Sequence, residues 1–229
     1  MTRLVSAIAL LSLVADPARA ACIDPAMLIF DASASMSAPL GVRAREGTRI
    51  DAAKVAVGQA VPRITRTRSM GLIAYGPGGA DACDGVNLLR EPAPQIGAEI
   101  VADVEALEPF GLTPMTDAVI MAAEAMSYRT DPAVIVLVTD GAETCGGDYC
   151  GVAQALSDQS AGLQIHVIGF QLPGDRVTGK VGPSCMPAIT GGRYVSTETV
   201  DQLVEALEQT LGCLVLVEHS HQMMKETRS

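Results

Sequence analysis

Asp31-Ala32-Ser33-Ala34-Ser35 puts one carboxylate and two hydroxyls on five consecutive residues, directly after the apolar run Ala26-Met27-Leu28-Ile29-Phe30. All three are small oxygen donors on one tight loop. Oxygen suits hard divalent cations such as Mg²⁺, Mn²⁺ and Ca²⁺, whereas Cys and His suit softer metals. Short polar clusters after strands also serve as ordinary turns, so the segment needs company before it means anything. Two other segments supply it. Gly111-Leu112-Thr113-Pro114 precedes a helical pattern and adds the Thr113 hydroxyl. Val134-Ile135-Val136-Leu137-Val138-Thr139-Asp140-Gly141 is a buried-type strand that adds the Asp140 carboxylate.

The order Asp-x-Ser-x-Ser, then Thr-Pro opening a helix, then a strand ending in Thr-Asp-Gly closely resembles the von Willebrand factor type A domain. The resemblance spans 26–212, and no ligand position is substituted. It implies a metal-ion-dependent adhesion site built from Asp31, Ser33, Ser35, Thr113 and Asp140. In that site the hydroxyls offer neutral oxygens, and the two carboxylates supply charge, often through a bridging water. One coordination position stays open, and a partner's Asp or Glu carboxylate is its natural occupant. So few charged ligands favour a small ion that keeps its waters, so Mg²⁺ is the first expectation, with Mn²⁺ or Ca²⁺ as alternatives. The segment 140–150 further resembles a bacterial exported subgroup of that family.

The elements that must position these residues follow from apolar patterning. Runs at 26–31, 71–75, 86–90, 134–139, 164–170 and 193–195 read as strands. Helical periodicity covers 49–64, 96–107, 114–127, 152–158 and 200–211, with Pro114 at a favoured first helical position. The alternation predicts an α/β fold: a doubly wound, mostly parallel, six-stranded Rossmann-like sheet with helices on both faces. Only residues 76–85 separate strands two and three, too few for a parallel crossover, so strand three is expected antiparallel at the edge. In a sheet of order 3-2-1-4-5-6, strands one and four flank the topological switch point, where ligands bind beyond the carboxyl ends. Asp31 and Asp140 end those two strands.

Arg3, the apolar stretch 4–14 and Ala18-Arg19-Ala20 read as a cleaved signal peptide, 1–20. The apolar stretch is well short of the roughly 20 residues a span requires. Arg19 argues against a lipoprotein processed at Cys22. The domain is expected over 21–213 and a frayed polar tail over 214–229. The formal net charge of −10 becomes one unit more acidic on cleavage, which disfavours nucleic acid and anionic lipid as partners. The chain is therefore expected to be soluble and periplasmic or secreted, and monomeric on its own. Six cysteines in an exported chain favour three disulfides. The topology puts Cys22 and Cys213 at the lower sheet edge, giving Cys22–Cys213. Of three arrangements of the rest, Cys145–Cys150 with Cys83–Cys185 is preferred. Zinc at Cys145-x4-Cys150 is the weaker reading for an exported protein.

Catalysis finds little support. An Asp-nucleophile phosphatase would want a second carboxylate at the position of Ser33, and neither a nucleophile elbow nor a Gly-rich Lys-Ser/Thr loop is present. His166 lies inside a strand and reads as a packed histidine. His219 and His221 fall in the tail. Glu143 reads as a cap of local amides rather than as a partner of Asp140 in acid–base work. The Gly/Pro-rich loop 171–184 carries Arg176 and Lys180, a candidate rim for an acidic partner. The expected function is metal-dependent protein binding without turnover. The alternative is a structural or assembly role in which the metal only orders loops, and a hydrolase ranks third.

Overall fold

The computed structural model describes residues 24–40, 47–77, 83–171 and 182–212. In chain order these form β1 (Ala26–Asp31), α1 (Arg49–Ile64), β2 (Met70–Tyr75), β3 (Val86–Ala93), α2 (Gly97–Glu105) and α3 (Met115–Ala125). They continue with β4 (Ala133–Thr139), α4 (Tyr149–Gln159), β5 (Leu163–Phe170), α5 (Cys185–Thr190), β6 (Tyr194–Thr197) and α6 (Val200–Leu211). The sheet order is β3-β2-β1-β4-β5-β6, with β3 antiparallel and the other pairs parallel, as the sequence leads one to expect. Among the described residues no helix is long and apolar enough to cross a membrane.

β1, β2 and β4 are buried along their whole length, the mark of parallel strands covered on both faces. Alternate side chains divide between two cores. Leu28, Phe30 and Val136 meet Val57 of α1, Ile100 of α2 and Leu203 of α6. Met27, Ile29, Ile135 and Leu137 meet Val119 of α3 and Ala153 of α4. The central strands are thereby fixed against sliding, because a one-residue slip would exchange the two faces.

Register then decides which residues leave the sheet together. β1 and β4 pair with Phe30 beside Val138, so Asp31 emerges next to Thr139 and one step before Asp140. α1 begins at the same end of the sheet. Thr48 caps it reciprocally with Asp51, and the Arg49 amide donates to the Ala38 carbonyl at 3.0 Å. The turn after β1 and the first turn of α1 are therefore neighbours, which carries the Arg49 side chain toward the strand ends.

Several boundaries differ from expectation. Pro114 is the N-cap of α3 rather than its first helical residue, with φ −80° and ψ 61°. α4 starts at Tyr149 because Asp148 caps it, accepting from the Cys150 and Gly151 amides. α5 is an additional short helix, closed by Gly191 in the left-handed conformation. Two disulfides join Cys83 to Cys145 and Cys150 to Cys185, which corrects the expected Cys145–Cys150 and Cys83–Cys185. The Asp148 cap explains the difference. It commits Cys150 to the first turn of α4, which packs on α5 and so on Cys185. Cys145 stays on the loop leaving β4, beside the β2–β3 connection that carries Cys83. The expected Cys22–Cys213 bond, the signal segment, Arg176, Lys180, His219 and His221 lie outside the described residues.

One glycine lets the β1 turn sit where it does. Gly76, just beyond β2, has φ +113°, and a Cβ there would lie 2.3 Å from the Ala32 carbonyl oxygen and 2.5 Å from the Ser33 nitrogen. Gly76→Ala is therefore expected to lower stability by about 3 kcal/mol through strain and backbone displacement. At Gly141 the nearest contact of an added Cβ is Ser35 Oγ at 3.5 Å, and Gly141→Ala should cost less than about 1 kcal/mol. Urea denaturation of the two variants checks the contrast, and equal midpoints would contradict it.

Candidate functional site

Beyond the carboxyl ends of β1 and β4, four of the five expected ligands are joined in one chain of hydrogen bonds. Asp31 Oδ1 accepts from the Ser33 amide at 2.8 Å and from the Ser33 hydroxyl at 2.6 Å. Ser33 Oγ and Ser35 Oγ lie 2.9 Å apart, and Ser35 Oγ donates to Asp140 Oδ1 at 2.6 Å. Thr139, delivered by the β1–β4 register, donates its hydroxyl to Asp31 Oδ2 at 2.7 Å. Ser33 and Ser35 share a side because the chain turns into a single 3-10 turn over Ala34–Ser37.

Thr113 reaches the same place by a separate route. The Phe110 amide donates to the Ala32 carbonyl at 2.9 Å and the Ala34 amide to the Gly111 carbonyl at 3.2 Å. This pins the segment before α3 to the β1 turn. Thr113 and Thr144 then bridge reciprocally: the Thr113 amide donates to Thr144 Oγ1 at 2.8 Å, and the Thr144 amide to the Thr113 carbonyl at 3.2 Å. Glu143 completes the brace. Its carboxylate accepts from the Thr116 amide and hydroxyl in the first turn of α3 and from the Cys145 amide. It thus serves as the amide cap its sequence position suggested, and it caps a helix that has no side-chain cap of its own. Ser33, Ser35, Thr113 and Asp140 line one cleft of about 520 Å³.

The electrostatics of the site follow from burial. Asp31 is 0% and Asp140 2% exposed. Burial first, and the Asp140 charge second, push the Asp31 carboxyl above its ordinary value, against the Ser33 and Thr139 hydrogen bonds that pull it down. The Tyr75 hydroxyl is buried close by. Burial and the Asp31 charge hold it well above its usual range, so it stays neutral, and it makes no hydrogen bond of good geometry. Arg49 is a nearby cation, with Nη1 2.6 Å from Asp140 Oδ2. Among the described residues no three His, Cys, Asp or Glu gather as a metal site, so an ion here would rely on hydroxyl oxygens. The donor set fits a hard ion, being all oxygen: Asp140, Ser33, Ser35 and Thr113 line the cleft, and Asp31 is buried directly behind Ser33.

Arg49 was read in the sequence only as a helix start, and Thr139 only as the last strand residue. Register and Asp31 would have pointed to Thr139. Nothing local announces Arg49, whose contact spans 91 positions. His166 is not part of this site. It is 8% exposed, accepts from the Arg193 amide at 3.0 Å through Nδ1, and lines a different cleft with Arg68 and Arg193.

Comparison with known proteins agrees with the fold and with the family resemblance. The family model described as von Willebrand factor type A domain matches residues 26–143. A Bacillus subtilis (strain 168) protein, the uncharacterized YwmD, is 27% identical over 191 residues, covering 80% of this chain and 82% of its own. Among solved structures, the SpRpn10 VWA domain superposes with a TM-score of 0.62 at 15% identity, covering 85% of this chain and 99% of its own. The PilB minor pilin of Streptococcus sanguinis gives 0.61 at 16%, covering 83% and 61% respectively. The vWF domain of the type V pili tip protein Mfa5 of Porphyromonas gingivalis gives 0.56 at 14%, covering 83% and 96%. At such identities these structures show a shared fold.

The environment of His166 makes a pH prediction. Burial, with Arg193 and Arg68 nearby, lowers its pKa from 6.5 to about 4. The unfolded chain therefore takes up this proton first as pH falls, and the folded state is disfavoured progressively from about 6.5 down to about 4. His166→Gln should flatten that part of a plot of urea midpoint against pH. Parallel curves for the variant and the wild type would refute the assignment.

Proposed function

The chain belongs to the von Willebrand factor type A domain family, and from that premise we propose an exported protein-binding module whose hold on its partner depends on a divalent cation. The observation that carries this reading is the oxygen path from Asp31 through Ser33 and Ser35 to Asp140, with steps of 2.6, 2.9 and 2.6 Å. Neighbouring ligands of an octahedral Mg²⁺ with bonds of about 2.1 Å sit about 3 Å apart, so these oxygens already stand at nearly ligand-to-ligand spacing. Asp31, Ser33, Ser35, Thr113 and Asp140 would hold the ion, Mg²⁺ ahead of Mn²⁺ or Ca²⁺. When bound, it supplies a positive centre to which a partner's Asp or Glu carboxylate adds.

Two further points support the reading. Disulfides at Cys83–Cys145 and Cys150–Cys185 suit an oxidising compartment, and two of the structural neighbours are pilus proteins. Binding is favoured over turnover because Glu143, the acid beside Asp140 in the sequence, is already engaged by Thr116 and Cys145 and is not free to act as acid or base. The second reading is a structural domain whose site only orders loops. It is favoured by the Arg49–Asp140 ion pair, which partly compensates the buried carboxylates from within.

A thermal melt of the oxidised chain in EDTA and in rising Mg²⁺, Mn²⁺ or Ca²⁺ tests the proposal. Stability should rise as RT ln(1 + [L]/Kd), about 2.7 kcal/mol at a hundredfold excess over Kd. Asp31→Asn removes a buried charge that burial and Asp140 both disfavour. The variant should stay within about 1 kcal/mol of wild type in EDTA and lose the metal response. A wild-type melt indifferent to all three ions, with unchanged partner capture in EDTA, would leave the structural reading.

A further inference from the structure

The opposite end of the sheet carries a second polar cleft, of about 290 Å³, lined by Arg68, His166, Arg193 and Asp24. It lies at the amino ends of β4 and β5 and shares no residue with the cleft at Asp140. Arg68 is 8% exposed and is fixed by two backbone acceptors. Its Nε donates to the Asp24 carbonyl at 2.9 Å and its Nη1 to the Leu211 carbonyl at 2.8 Å. Those carbonyls orient the guanidinium without neutralising it. Among the described residues no carboxylate pairs with Arg68 or Arg193, and a buried cation short of a counter-ion is unfavourable. His166 supplies a third donor. Its Nδ1 accepts from the Arg193 amide at 3.0 Å, so the neutral ring keeps its proton on Nε2. Neither His166 Nε2 nor Arg68 Nη2 has an acceptor among the described residues. Both reach solvent, since the buried unpaired side-chain atoms there belong to Arg49, Tyr75 and Tyr194.

Charge and size set the ligand. The two guanidinium groups and the Asp24 carboxylate leave a single positive charge, because His166, with its pKa lowered to about 4, is neutral. One negative charge balances that sum, whereas a dianion overbalances it and meets Asp24 as well. A planar anion also matches the arginine fork. The volume lies at the small end of ligand pockets, which suits a small acid or a chain terminus. We propose that this cleft binds one carboxylate, held between Arg68 and Arg193, with His166 Nε2 donating a third hydrogen bond. The site needs no metal and is independent of the cation site at the other end of the sheet.

The test uses the oxidised full chain at neutral pH in EDTA, where no carboxylate can bind through a divalent ion. Imidazole NMR signals, assigned with His166→Gln, are followed during titration with acetate, N-acetylglycine, N-acetylglycinamide and sulfate, each against sodium chloride at matched ionic strength. Both acids should shift the His166 signals saturably, with half-saturation on the order of 10 mM, and the neutral amide should leave them in place. Tighter binding of N-acetylglycine than of acetate supports a peptide terminus as the source of the carboxylate, and equal binding supports a free acid. Arg193 is exposed and has no ion pair among the described residues, so Arg193→Gln should melt like wild type and weaken both acids by about tenfold. Asp24→Asn, which removes the opposing charge and keeps the carbonyl that holds Arg68, should tighten them by about threefold. Any of four results overturns the proposal: His166 signals unmoved by either acid at roughly 100 mM, an equal response to chloride, sulfate binding more tightly than both acids, or unchanged affinities in Arg193→Gln.

Discussion

Two carboxylates buried at the ends of adjacent strands repel each other and resist losing water, and the surrounding structure is organised around that strain. Asp31 and Asp140 are almost wholly inaccessible, a placement unfavourable by several kcal/mol per ion unless charge and hydrogen bonds compensate. Compensation comes in two kinds. Neutral donors reach both: the Ser33 amide and hydroxyl and the Thr139 hydroxyl for Asp31, and the Ser35 hydroxyl for Asp140. Charge reaches one, since Arg49 pairs with Asp140. Among the described residues Asp31 has no such cation, and its carboxyl is pushed above the ordinary range by burial and by Asp140. A site left short of positive charge in this way is suited to a cation.

The fold supplies the arrangement through ordinary packing. Parallel pairing of β1 with both β2 and β4 makes the first strand central, and two apolar layers lock its register. The described segments around the site are then braced sideways. The segment before α3 hydrogen-bonds to the β1 turn, Glu143 ties the loop after β4 to α3, and the Cys83–Cys145 bond ties that same loop to the β2–β3 connection. Small oxygen-bearing side chains on braced loops hold their positions within a narrow range, which a coordination site requires.

Much of this was legible in the sequence because it is written in local pattern. Apolar runs with helical stretches between them dictate the parallel sheet, and the ten residues between strands two and three dictate an antiparallel edge. The Asp-Ser-Ser, Thr-Pro and Thr-Asp-Gly segments mark what stands at the strand ends. The disulfides were misassigned because Cys145 and Cys150, five positions apart, are sent in different directions by the Asp148 cap, a detail of one turn. α5 escaped notice because its six residues are too few to show a period and include Pro187. Arg49 was invisible for a different reason: its role depends on where α1 starts relative to β4, a tertiary relation that no window of sequence contains.

The central claim is that the two buried carboxylates and three hydroxyls form one cation site. Its most direct test is a crystal structure of the oxidised chain grown with Mn²⁺, with anomalous scattering recorded at the manganese edge. The account predicts one strong anomalous peak in the cleft, with Ser33, Ser35 and Thr113 oxygens about 2.2 Å away and Asp31 and Asp140 bound directly or through water. A cleft without a peak, in crystals where Asp140 still pairs with Arg49, would contradict it.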